Sequence, residues 1–567
     1  MNKAERSDSF RGRRKGFLPK GRDLDPAVLA AVESLIADLP RRRDLLIEYL
    51  HRIQDRFGCL SAANLRALAE TLRLSQAEIY EVASFYDHFD IIKEGEAEPA
   101  PVTIRVCDSI SCALAGAESL IEGLNAGADR DHVRILRAPC MGGCDVAPAA
   151  RIGDLEVGTA SVETLLDSAH SAKSNSDFPA LIPAYKNLSG YLAGGGYDLL
   201  ARIRAGAVQA EALIQIMNDA GLRGLGGAGF PAGTKMKFVL SYPGPRYLTI
   251  NGDEGEPGTF KDRYCLERDP HRMFEGALVA AHYIEAERIY VYMRDEYPAV
   301  LEILRREIAA LEEKGLVEKG YVELRRGAGA YICGEESAML ESIEGKRGLP
   351  RHRPPYIAEV GLFGRPTLNH NVETLWWLRD VIEKGPEWFA GLGKPDYPGI
   401  RSWSVSGRVK EPGVKQAPAG ITVTELIEEY CGGMADGHTF KAYLPGGASG
   451  GILPASMGDI PLDFGDNLFK YGAFVGSHAI VILSDKDSIK DAALNILKFF
   501  KHESCGQCTP CRGGTEKMVT LLSEDGPLDE VAIRDIETVM RDASICGLGQ
   551  AAPNPVNHLL TYFREDL

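Results

Sequence analysis

Four cysteines near the C-terminus have the residue types and spacing of an iron–sulfur ligand set. Cys505, Cys508 and Cys511 form a C-x2-C-x2-C run, and Cys546 follows further along the chain. Three thiolates on one tight loop and a distant fourth suit a [4Fe–4S] cluster, because the loop wraps one face and a second segment closes the other. A tetrathiolate zinc site is the alternative, although zinc sites more often use two separated C-x2-C pairs. The spacing therefore predicts a [4Fe–4S] cluster and electron transfer.

A second set of four cysteines lies far upstream. Cys107 and Cys112 are spaced C-x4-C, and Cys140 and Cys144 are spaced C-x3-C. Each pair follows a run of β-branched residues that predicts a strand, and four thiolates at two strand ends can bind a [2Fe–2S] cluster. Zinc and two disulfides are the alternatives, and disulfides are disfavoured because reducing compartments keep thiols free and no secretory signal is visible. The other four of the 12 cysteines are scattered, and we expect most to be small core residues: Cys59, Cys265, Cys333 and Cys431.

Glycine-rich loops in the middle of the chain carry the polar groups that a flavin or nucleotide requires. Gly224, Gly226 and Gly229 form a G-x-G-x-x-G run, which is a weak signal by itself because no long strand precedes it. Its glycine density still implies backbone amides that approach a ligand closely. Three further loops combine glycine with amide, acidic and aromatic residues, at 247–263, 325–348 and 365–375. Together these loops predict a site for a flavin and a nucleotide.

The acidic residues of these loops have two interpretations. Asp253, Glu254 and Glu256 lie close together without paired bases, and Glu335 and Glu336 open a helix. Runs of charge usually face water, which makes a solvated turn the simpler interpretation. Carboxylates also accept hydrogen bonds from ribose hydroxyls in nucleotide sites. The sequence leaves both interpretations open.

Length and composition limit the class of protein. The chain has 567 residues, 45% hydrophobic and 25% charged, which predicts several ordinary globular domains. Its net charge of −16 argues against nucleic acid as a partner. No run of 18 or more apolar residues is present, so we expect no membrane insertion, and the N-terminus lacks the apolar region of a secretory signal. We therefore expect a cytoplasmic location.

Composition shifts divide the chain into seven predicted segments. A basic N-terminal arm is expected to be a solvated tail, with folding onto a subunit or a transit peptide as alternatives. Helical periodicity and an N-cap at Ser75 predict a small bundle after it. The segments are 1–24 (basic arm), 25–98 (helical bundle), 99–168 ([2Fe–2S] domain), 169–184 (linker), 185–400 (the glycine-rich flavin and nucleotide domain), 401–485 (β-grasp domain) and 486–567 (helical [4Fe–4S] domain).

Several motifs together resemble those of respiratory complex I. R-G-L-G-G-A-G-F-P, N-G-D-E-G-E-P-G-T-F-K-D-R, G-A-G-A-Y-I-C-G-E-E and E-S-C-G-Q-C-T-P-C-R resemble its FMN-containing NADH-oxidising subunit. The N-terminal part resembles its small thioredoxin-like [2Fe–2S] subunit, here fused to the rest. R-V-C-D-S-I-S-C-A, A-P-C-M-G-G-C-D and G-R-V-K-E-P-G-V-K are most similar to the β (diaphorase) subunit of cytoplasmic NAD-dependent molybdenum or tungsten formate dehydrogenases. The diaphorase subunit of NAD-reducing hydrogenases is the next most similar.

This resemblance implies a multidomain α/β fold and assigns residues to the cofactors. The helical bundle leads into a thioredoxin-like [2Fe–2S] domain, a Rossmann-like FMN/NAD domain, a ubiquitin-like domain and a helical [4Fe–4S] domain. The residues implied for FMN are Gly224, Gly226, Lys235, Asn251, Asp253, Tyr331, Gly334, Glu335, His370 and Asn371. Those implied for NAD(H) are Phe230, Phe238, Glu256, Glu336, Arg353 and Tyr356.

Two positions depart from the family pattern. Arg353 and Tyr356 stand where the family often has lysine and phenylalanine, which preserves the charge and the aromatic ring. His370 replaces the first of two paired asparagines, and the second is kept as Asn371. We expect His370 to hydrogen-bond to FMN and its protonation to add a pH dependence.

The implied reaction is hydride exchange between NAD and FMN, coupled to one-electron exchange with the clusters. No catalytic side chain is expected beyond the cofactors, and Glu256 and Glu336 would position NAD(H). The [4Fe–4S] cluster is expected beside FMN, with the [2Fe–2S] cluster as a side station or further relay. The expected partner is a larger molybdenum or tungsten subunit that oxidises formate. The alternatives are a hydrogenase diaphorase subunit, a non-enzymatic iron–sulfur scaffold with an inactive nucleotide pocket, and an arm of complex I.

Overall fold

The computed structural model describes residues 22–206, 208–524 and 526–567. Most of the predicted basic arm lies outside these residues, apart from its end, where the Arg22 guanidinium donates to Glu94 at 2.8 Å. The described chain contains four sheets, and helices pack around them. Within the described ranges, no helix is both long enough and apolar enough to cross a membrane.

The N-terminal part is a bundle of four helices with one small parallel strand pair. The helices and strands are α1 (Pro26–Leu35), α2 (Leu46–Phe57), β1 (Leu60–Ser61), α3 (Ala62–Leu72), α4 (Gln76–Ala83) and β2 (Ile91–Ile92). Ser75 and Glu78 form a capping box at the start of α4, which confirms the predicted N-cap. The apolar stripes of these helices face one another, and residues such as Leu50 and Ile53 are fully buried.

The predicted [2Fe–2S] domain is a four-stranded mixed sheet in the order β4-β3-β5-β6. Its elements are β3 (Val102–Cys107), α5 (Ile110–Leu114), α6 (Ala117–Gly127), β4 (Val133–Ala138), β5 (Ala150–Ile152), β6 (Leu155–Val157) and α7 (Val162–Ser171). β3 and β4 are parallel neighbours, so their carboxyl ends lie at the same edge. That edge carries both cysteine pairs, because Cys107 ends β3 and Cys140 follows β4.

The largest domain is built on a four-stranded, all-parallel sheet in the order β10-β7-β8-β9. Its strands are β7 (Arg246–Gly252), β8 (Ala286–Met293), β9 (Val322–Arg326) and β10 (Thr367–Asn371). Its helices are α8 (Leu188–Ala193), α9 (Asp198–Arg204), α10 (Ala210–Asp219), α11 (Ala232–Leu240), α12 (Lys261–Leu266), α13 (Pro270–Tyr283), α14 (Pro298–Glu313), α15 (Glu336–Ile343), α16 (Val372–Lys384) and α17 (Pro386–Ala390). The G-x-G-x-x-G loop joins α10 to α11, so here the glycines do not follow a strand.

The next domain is a five-stranded mixed sheet in the order β12-β11-β15-β13-β14. Its elements are β11 (Ile400–Gly407), β12 (Gly413–Pro418), α18 (Val423–Glu425, followed by a π-helical turn), β13 (Phe440–Leu444), β14 (Leu453–Pro454), α19 (Asp466–Phe469) and β15 (Ala479–Ser484). The first and last strands are parallel neighbours in the centre, and the other pairs are antiparallel. This is the β-grasp arrangement that the alternation of short strands predicted.

The C-terminal domain is helical, as the sequence predicted, and its described residues form five α-helices. They are α20 (Ile489–Glu503), α21 (Thr509–Ser523), α22 (Glu530–Ala543), α23 (Gly547–Ala551) and α24 (Asn554–Tyr562). Cys505 and Cys508 lie in the loop between α20 and α21, Cys511 lies in the first turn of α21, and Cys546 directly precedes α23. The loop and the two helix starts thus bring the four thiols to one end of the bundle.

Candidate flavin, nucleotide and iron–sulfur sites

A cavity of about 320 Å³ lies where three domains meet. The carboxyl ends of β7 and β10 provide its floor, as is usual for ligand sites in open parallel sheets. The β-grasp domain and α23 of the C-terminal domain close the other sides. Its lining residues are Gly226, Gly227, Ala228, Asn251, Asp253, Glu254, Gly255, Glu256, Thr259, Lys261, Asp262, Tyr331, Ile332, Gly334, Glu335, Asn371, Ser449, Phe474, Gly476, Ser477, Gly547, Leu548 and Ala551.

Asp253 presents an unsatisfied polar atom to this cavity. Its Oδ2 is buried and has no hydrogen-bond partner among the described residues. Burial raises the pKa of the Asp253 carboxyl well above its ordinary value, which favours its protonated form. A neutral carboxylic acid both donates and accepts hydrogen bonds. The cavity therefore has an open polar partner for a ligand rich in ring nitrogens and oxygens.

Glycines let the backbone approach the centre of the cavity. A Cβ added at Gly226 would lie 3.1 Å from the Cβ of Asn371, and one added at Gly255 would lie 3.1 Å from the Tyr331 ring. These loops therefore pack too closely for a larger residue without rearrangement. The combination of free polar groups and close backbone amides fits the ring and phosphate of FMN.

A buried charged network holds the floor of the cavity in place. The Lys261 ammonium is 1% exposed and lies 2.8 Å from Asp262 and 3.2 Å from Glu373. Burial disfavours its charge, but the two carboxylates outweigh that effect and raise the pKa of Lys261. Asn371 caps α16 by accepting from the Glu373 N–H at 2.9 Å, and it donates to Asp262 at 2.6 Å. Asn251 donates to the Gly334 carbonyl at 2.9 Å.

Glu256 is clamped inside the cavity by two other segments. Its Oε1 accepts from the Ser449 backbone N–H at 2.8 Å and from the Ser449 hydroxyl at 2.6 Å. Its Oε2 accepts from the Tyr331 hydroxyl. Glu254 and Glu256 are 5% and 7% exposed, so the solvated-turn interpretation of this loop is wrong. Burial raises the pKa of the Glu256 carboxyl, and the three donors oppose that rise.

The other predicted nucleotide residues form a rim outside the cavity. Phe230 and Phe238 are 42% and 52% exposed, and their ring centroids lie 6.2 Å apart. Arg353 pairs with Glu335 at 2.6 Å and with Glu336 at 3.0 Å. The remaining rim residues are Tyr356, which is 58% exposed, and Lys235, whose ammonium lies 3.5 Å from Glu336. The rim thus offers aromatic faces and charges next to the inner site.

Three residues predicted for FMN do not line the cavity, namely Lys235 of the rim, Gly224 and His370. The Gly224 N–H donates to the Phe230 carbonyl at 2.8 Å and shapes the glycine-rich loop. His370 is 3% exposed within β10, and burial together with the nearby Lys235 charge lowers the pKa of His370 to about 3. The expectation that His370 protonation adds a pH dependence near neutrality is therefore wrong, because the imidazole is neutral there.

The four C-terminal cysteines converge beside the cavity. Cys505, Cys508, Cys511 and Cys546 line one small pocket with Ile332 and Leu548, among other residues. Ile332 and Leu548 also line the flavin-sized cavity, so these two side chains form a shared wall. The convergence of four thiols fits the predicted [4Fe–4S] cluster and sets it directly against that cavity.

The N-terminal cysteine set is also assembled and faces the flavin domain. The Cys140 and Cys144 sulfurs lie 3.4 Å apart, and Cys112 Sγ accepts from the Ala149 N–H at 3.4 Å. Cys140 and Cys144 pack against Phe260, which follows the acidic loop. All 12 cysteines are described and all are free thiols, so the disulfide alternative is not observed.

Sequence reasoning missed several residues of the site. Lys261 and Asp262 belong to the K-D-R end of the acidic-loop motif, but the motif does not reveal that they are buried. Ser449 stands in P-G-G-A-S-G-G, a glycine run of the same kind as the other loops. That run could have been recognised, but it lies in a domain for which no chemistry was predicted.

A further cluster, of His51, His88 and Asp295, has the residue types of a metal site, with ligand atoms within 4.8 Å of one another. Asp295 already accepts from Arg326 at 2.6 Å and lies 3.5 Å from Arg151. His88 Nδ1 lies 2.7 Å from the same carboxylate. Two guanidinium charges on one carboxylate oppose a bound cation. We therefore interpret these three residues as a contact by which the helical bundle packs on the flavin domain.

Four family descriptions match successive parts of the chain. "Thioredoxin-like [2Fe-2S] ferredoxin" matches residues 32–170, and "Nuo51 FMN-binding domain" matches residues 217–380. "SLBB domain" matches residues 404–453, and "NADH-ubiquinone oxidoreductase-F iron-sulfur binding region" matches residues 491–567. The order of the matches follows the order of the folded domains.

Individual proteins match over long stretches. The second of the F-type subunits of NADH-quinone oxidoreductase in Rhizobium meliloti (strain 1021) is 41% identical over 399 residues, which cover 68% of this chain and 94% of that protein. The F-type NADH-quinone oxidoreductase subunit of Aquifex aeolicus (strain VF5) is 41% identical over 397 residues, 68% of this chain and 91% of that protein. A chain of an NAD+-reducing [NiFe]-hydrogenase in the H2-reduced state is similar with a TM-score of 0.82 and 32% identity, over 93% of this chain and 92% of that one.

Proposed function

This chain belongs to the family of F-type NADH-quinone oxidoreductase subunits, and from that premise we propose that it is the β (diaphorase) subunit of an NAD-dependent formate dehydrogenase. Family membership makes it an NAD(H)-linked electron-transfer subunit with an FMN-binding domain, a [2Fe–2S] domain and a [4Fe–4S] region. Two of the matching family descriptions name iron–sulfur binding, so we propose that both cysteine sets are ligands of iron–sulfur clusters and not of zinc.

The wall shared by the cavity and the four-cysteine pocket supports the diaphorase role in this proposal. Ile332 and Leu548 are the side chains that the two sites have in common. FMN, when bound, supplies the exchange of electron pairs with nicotinamide and of single electrons with clusters. The arrangement therefore suits a two-electron site next to a one-electron site, as a diaphorase requires.

The chain positions its ligands without an acid or base of its own in the reaction. Asp253 directs its unpartnered Oδ2 at the cavity, while Asn251 and Asn371 are fixed by their backbone contacts. Glu256, held by Ser449 and Tyr331, would accept from the nucleotide. Ile332, Leu548 and Phe474 line the cavity with apolar surface and exclude water. We propose that the aromatic and charged rim receives NAD(H).

Formate as the source of electrons is supported by the motifs around the two cysteine pairs and by G-R-V-K-E-P-G-V-K at 407–415. The formate-oxidising centre would be on a larger molybdenum or tungsten subunit. A hydrogenase module is the second candidate partner, because the hydrogenase chain aligns with 93% of this chain, including the fused [2Fe–2S] domain.

Reconstitution with each partner tests the proposal. The full chain, purified with FMN and both clusters, should reduce ferricyanide or viologen dyes with NADH, and should not form NADH from formate. Adding the formate-oxidising subunit should restore formate-dependent NADH formation. The control variant Cys508→Ala should keep dye reduction but lose that restoration.

Each alternative has its own outcome in the same experiment. Restoration by a hydrogenase module with H2, and not by the formate-oxidising partner, would transfer the assignment to the second candidate. Formate oxidation by this chain alone would overturn the subunit assignment. Absence of flavin after denaturation of the purified chain, together with no NADH oxidation, would instead indicate the non-enzymatic scaffold.

A further inference from the structure

Arg294 lies between the [2Fe–2S] cysteines and the flavin cavity. It directly follows β8, and its side chain is almost fully buried. Nη2 donates to the Cys140 carbonyl at 2.7 Å, and Nη1 donates to the Glu254 carbonyl. Nε lies 3.1 Å from Glu296 Oε2. One guanidinium therefore contacts both a residue that carries a cluster thiol and a residue that lines the cavity.

The charge of Arg294 is permanent and poorly screened. A guanidinium stays protonated in proteins, and burial removes the water that would weaken its field. Its only carboxylate partner within 4 Å among the described residues is Glu296, which is bound at Nε. The two Nη groups donate to the Glu254 and Cys140 carbonyls, so the edge of the guanidinium that has no carboxylate partner faces these two loops.

The cysteine loop is locked to the flavin domain around this charge. Gly142, between Cys140 and Cys144, has a φ of +79°, and a Cβ at that position would collide with the hydroxyl of Tyr297. Phe260 packs on Cys140 and Cys144 from another side. Gly142 therefore packs directly against Tyr297, and this contact and that of Phe260 hold the cysteine loop beside Arg294.

We propose that Arg294 is a positioning residue that raises the reduction potential of the [2Fe–2S] cluster and sets it relative to the flavin. Reduction adds one electron, and therefore one negative charge, to the cluster. A fixed positive charge at low dielectric stabilises that added charge. The proposal rests on the family's [2Fe–2S] cluster occupying these four cysteines, but not on formate as the donor.

Redox titration of the full chain, followed by EPR, tests this role. Arg294→Gln should lower the [2Fe–2S] potential, so that at a fixed ambient potential the ratio of reduced to oxidised cluster falls about tenfold, or 59 mV for a one-electron couple. Arg294→Lys should recover most of the wild-type potential because it keeps the charge. The [4Fe–4S] potential serves as the internal reference and should not change.

Matched variants separate charge from structure. Arg288→Gln, in β8 itself and paired with Glu323 at a more exposed position, should leave both potentials unchanged. Glu296→Gln removes the counter-charge and should raise the [2Fe–2S] potential. If Arg294→Gln fails to assemble the cluster, the [2Fe–2S] potential of Glu296→Gln tests the role of Arg294 instead.

The results of this titration can be distinguished from a failure of the proposed function. An unchanged [2Fe–2S] potential in assembled Arg294→Gln, or in Glu296→Gln, would overturn the role of Arg294. Absence of a [2Fe–2S] signal from the wild-type chain would contradict the cluster assignment itself. The choice between formate and hydrogen as donor leaves this titration unaffected.

Discussion

At the scale of single residues, the cavity is organised by groups that different domains contribute to one another. Glu256 comes from the flavin domain, but Ser449 of the β-grasp domain holds its Oε1. Asn554 of the C-terminal domain in turn donates to the Ser449 carbonyl at 2.9 Å. The position of the Glu256 carboxylate, which we propose for the nucleotide site, therefore depends on the contacts among three domains.

Ser449→Ala should weaken NAD(H) binding. The change removes the hydroxyl donor at 2.6 Å from Glu256 and keeps the backbone donor, so we expect a loss of about 1 kcal/mol, or roughly a fivefold higher KM for NADH. Steady-state kinetics of NADH-dependent dye reduction measure this change. Ser456→Ala, at an exposed position of the same domain, is the control and should behave as wild type. Equal KM values for both variants would show that Ser449 does not act through Glu256.

Glu256→Gln should change NAD(H) affinity by about 1–2 kcal/mol, since a buried carboxylate that accepts from the ligand is replaced by an amide. Isothermal titration of the FMN-loaded chain with NAD measures the change. An unaltered dissociation constant would remove Glu256 from the nucleotide site, whatever its burial.

His370 should make no contribution to the pH profile of activity near neutrality. Its pKa of about 3 lies far below the assay range, so the imidazole stays neutral from about pH 5 to about pH 8. His370→Asn should therefore alter the level of NADH-dependent dye reduction without altering the shape of its pH dependence. A step that is present near pH 6 in the wild type and lost in the variant would contradict this assignment.

At the scale of elements, both cofactor sites use the carboxyl ends of parallel strands. β3 and β4 bring two cysteine pairs to one edge, and β7 and β10 bring Asn251 and Asn371 to another. The [4Fe–4S] cysteines instead use a loop and two helix starts, α21 and α23. Because the two ligand sets lie on separate elements, we expect that one cluster can be removed without unfolding the site of the other.

The two clusters should be separable by single substitutions. Cys508→Ala should abolish electron exchange with the partner while flavin binding remains, because the pocket it lines is the one next to the flavin cavity. Cys107→Ala should leave NADH-dependent dye reduction largely intact, because that electron exit begins at the flavin. EPR of the dithionite-reduced variants checks that only the intended signal is lost. One zinc per chain at either site, with no cluster signal, would contradict the corresponding assignment.

At the scale of the whole molecule, buried neutral histidines tie the domains together. His558 of α24 accepts from the Ile452 N–H at 3.0 Å and contacts the Tyr471 carbonyl at 2.9 Å, both in the β-grasp domain. Burial lowers the pKa of His558 to about 4, and it lowers the pKa of His51 and His478 well below their ordinary values. His558 therefore stays neutral in the folded protein at a pH at which the unfolded chain takes up protons.

Stability should therefore fall as the pH drops below about 6.5. A histidine with a pKa of about 4 when folded and about 6.5 when unfolded costs about 2 kcal/mol at pH 5, and the loss continues to about pH 4. Thermal unfolding between pH 8 and pH 5 measures the effect. His558→Gln should reduce the pH dependence of Tm, and an identical dependence in that variant would exclude His558 as a source.

The order of the domains and the identity of the cofactors follow from the sequence alone. Cysteine spacing, β-branched runs and helical periodicity are local properties, so they predicted β3, β4, α4 and the helical cysteine domain, and the comparisons confirm the fold class and the cofactors. The motifs also named Asn251, Asp253, Glu256, Tyr331 and Asn371, which line the cavity.

Only the tertiary structure decided which of those residues share a site and in what protonation state. Burial, which depends on contacts between distant segments, raises the pKa of the Asp253 carboxyl and lowers the pKa of His370 to about 3. The same contacts bring Ser449 and Leu548 from two other domains into the cavity and place Arg294 against Cys140. No local pattern encodes such juxtapositions, because they arise from the packing of domains that are far apart in the chain.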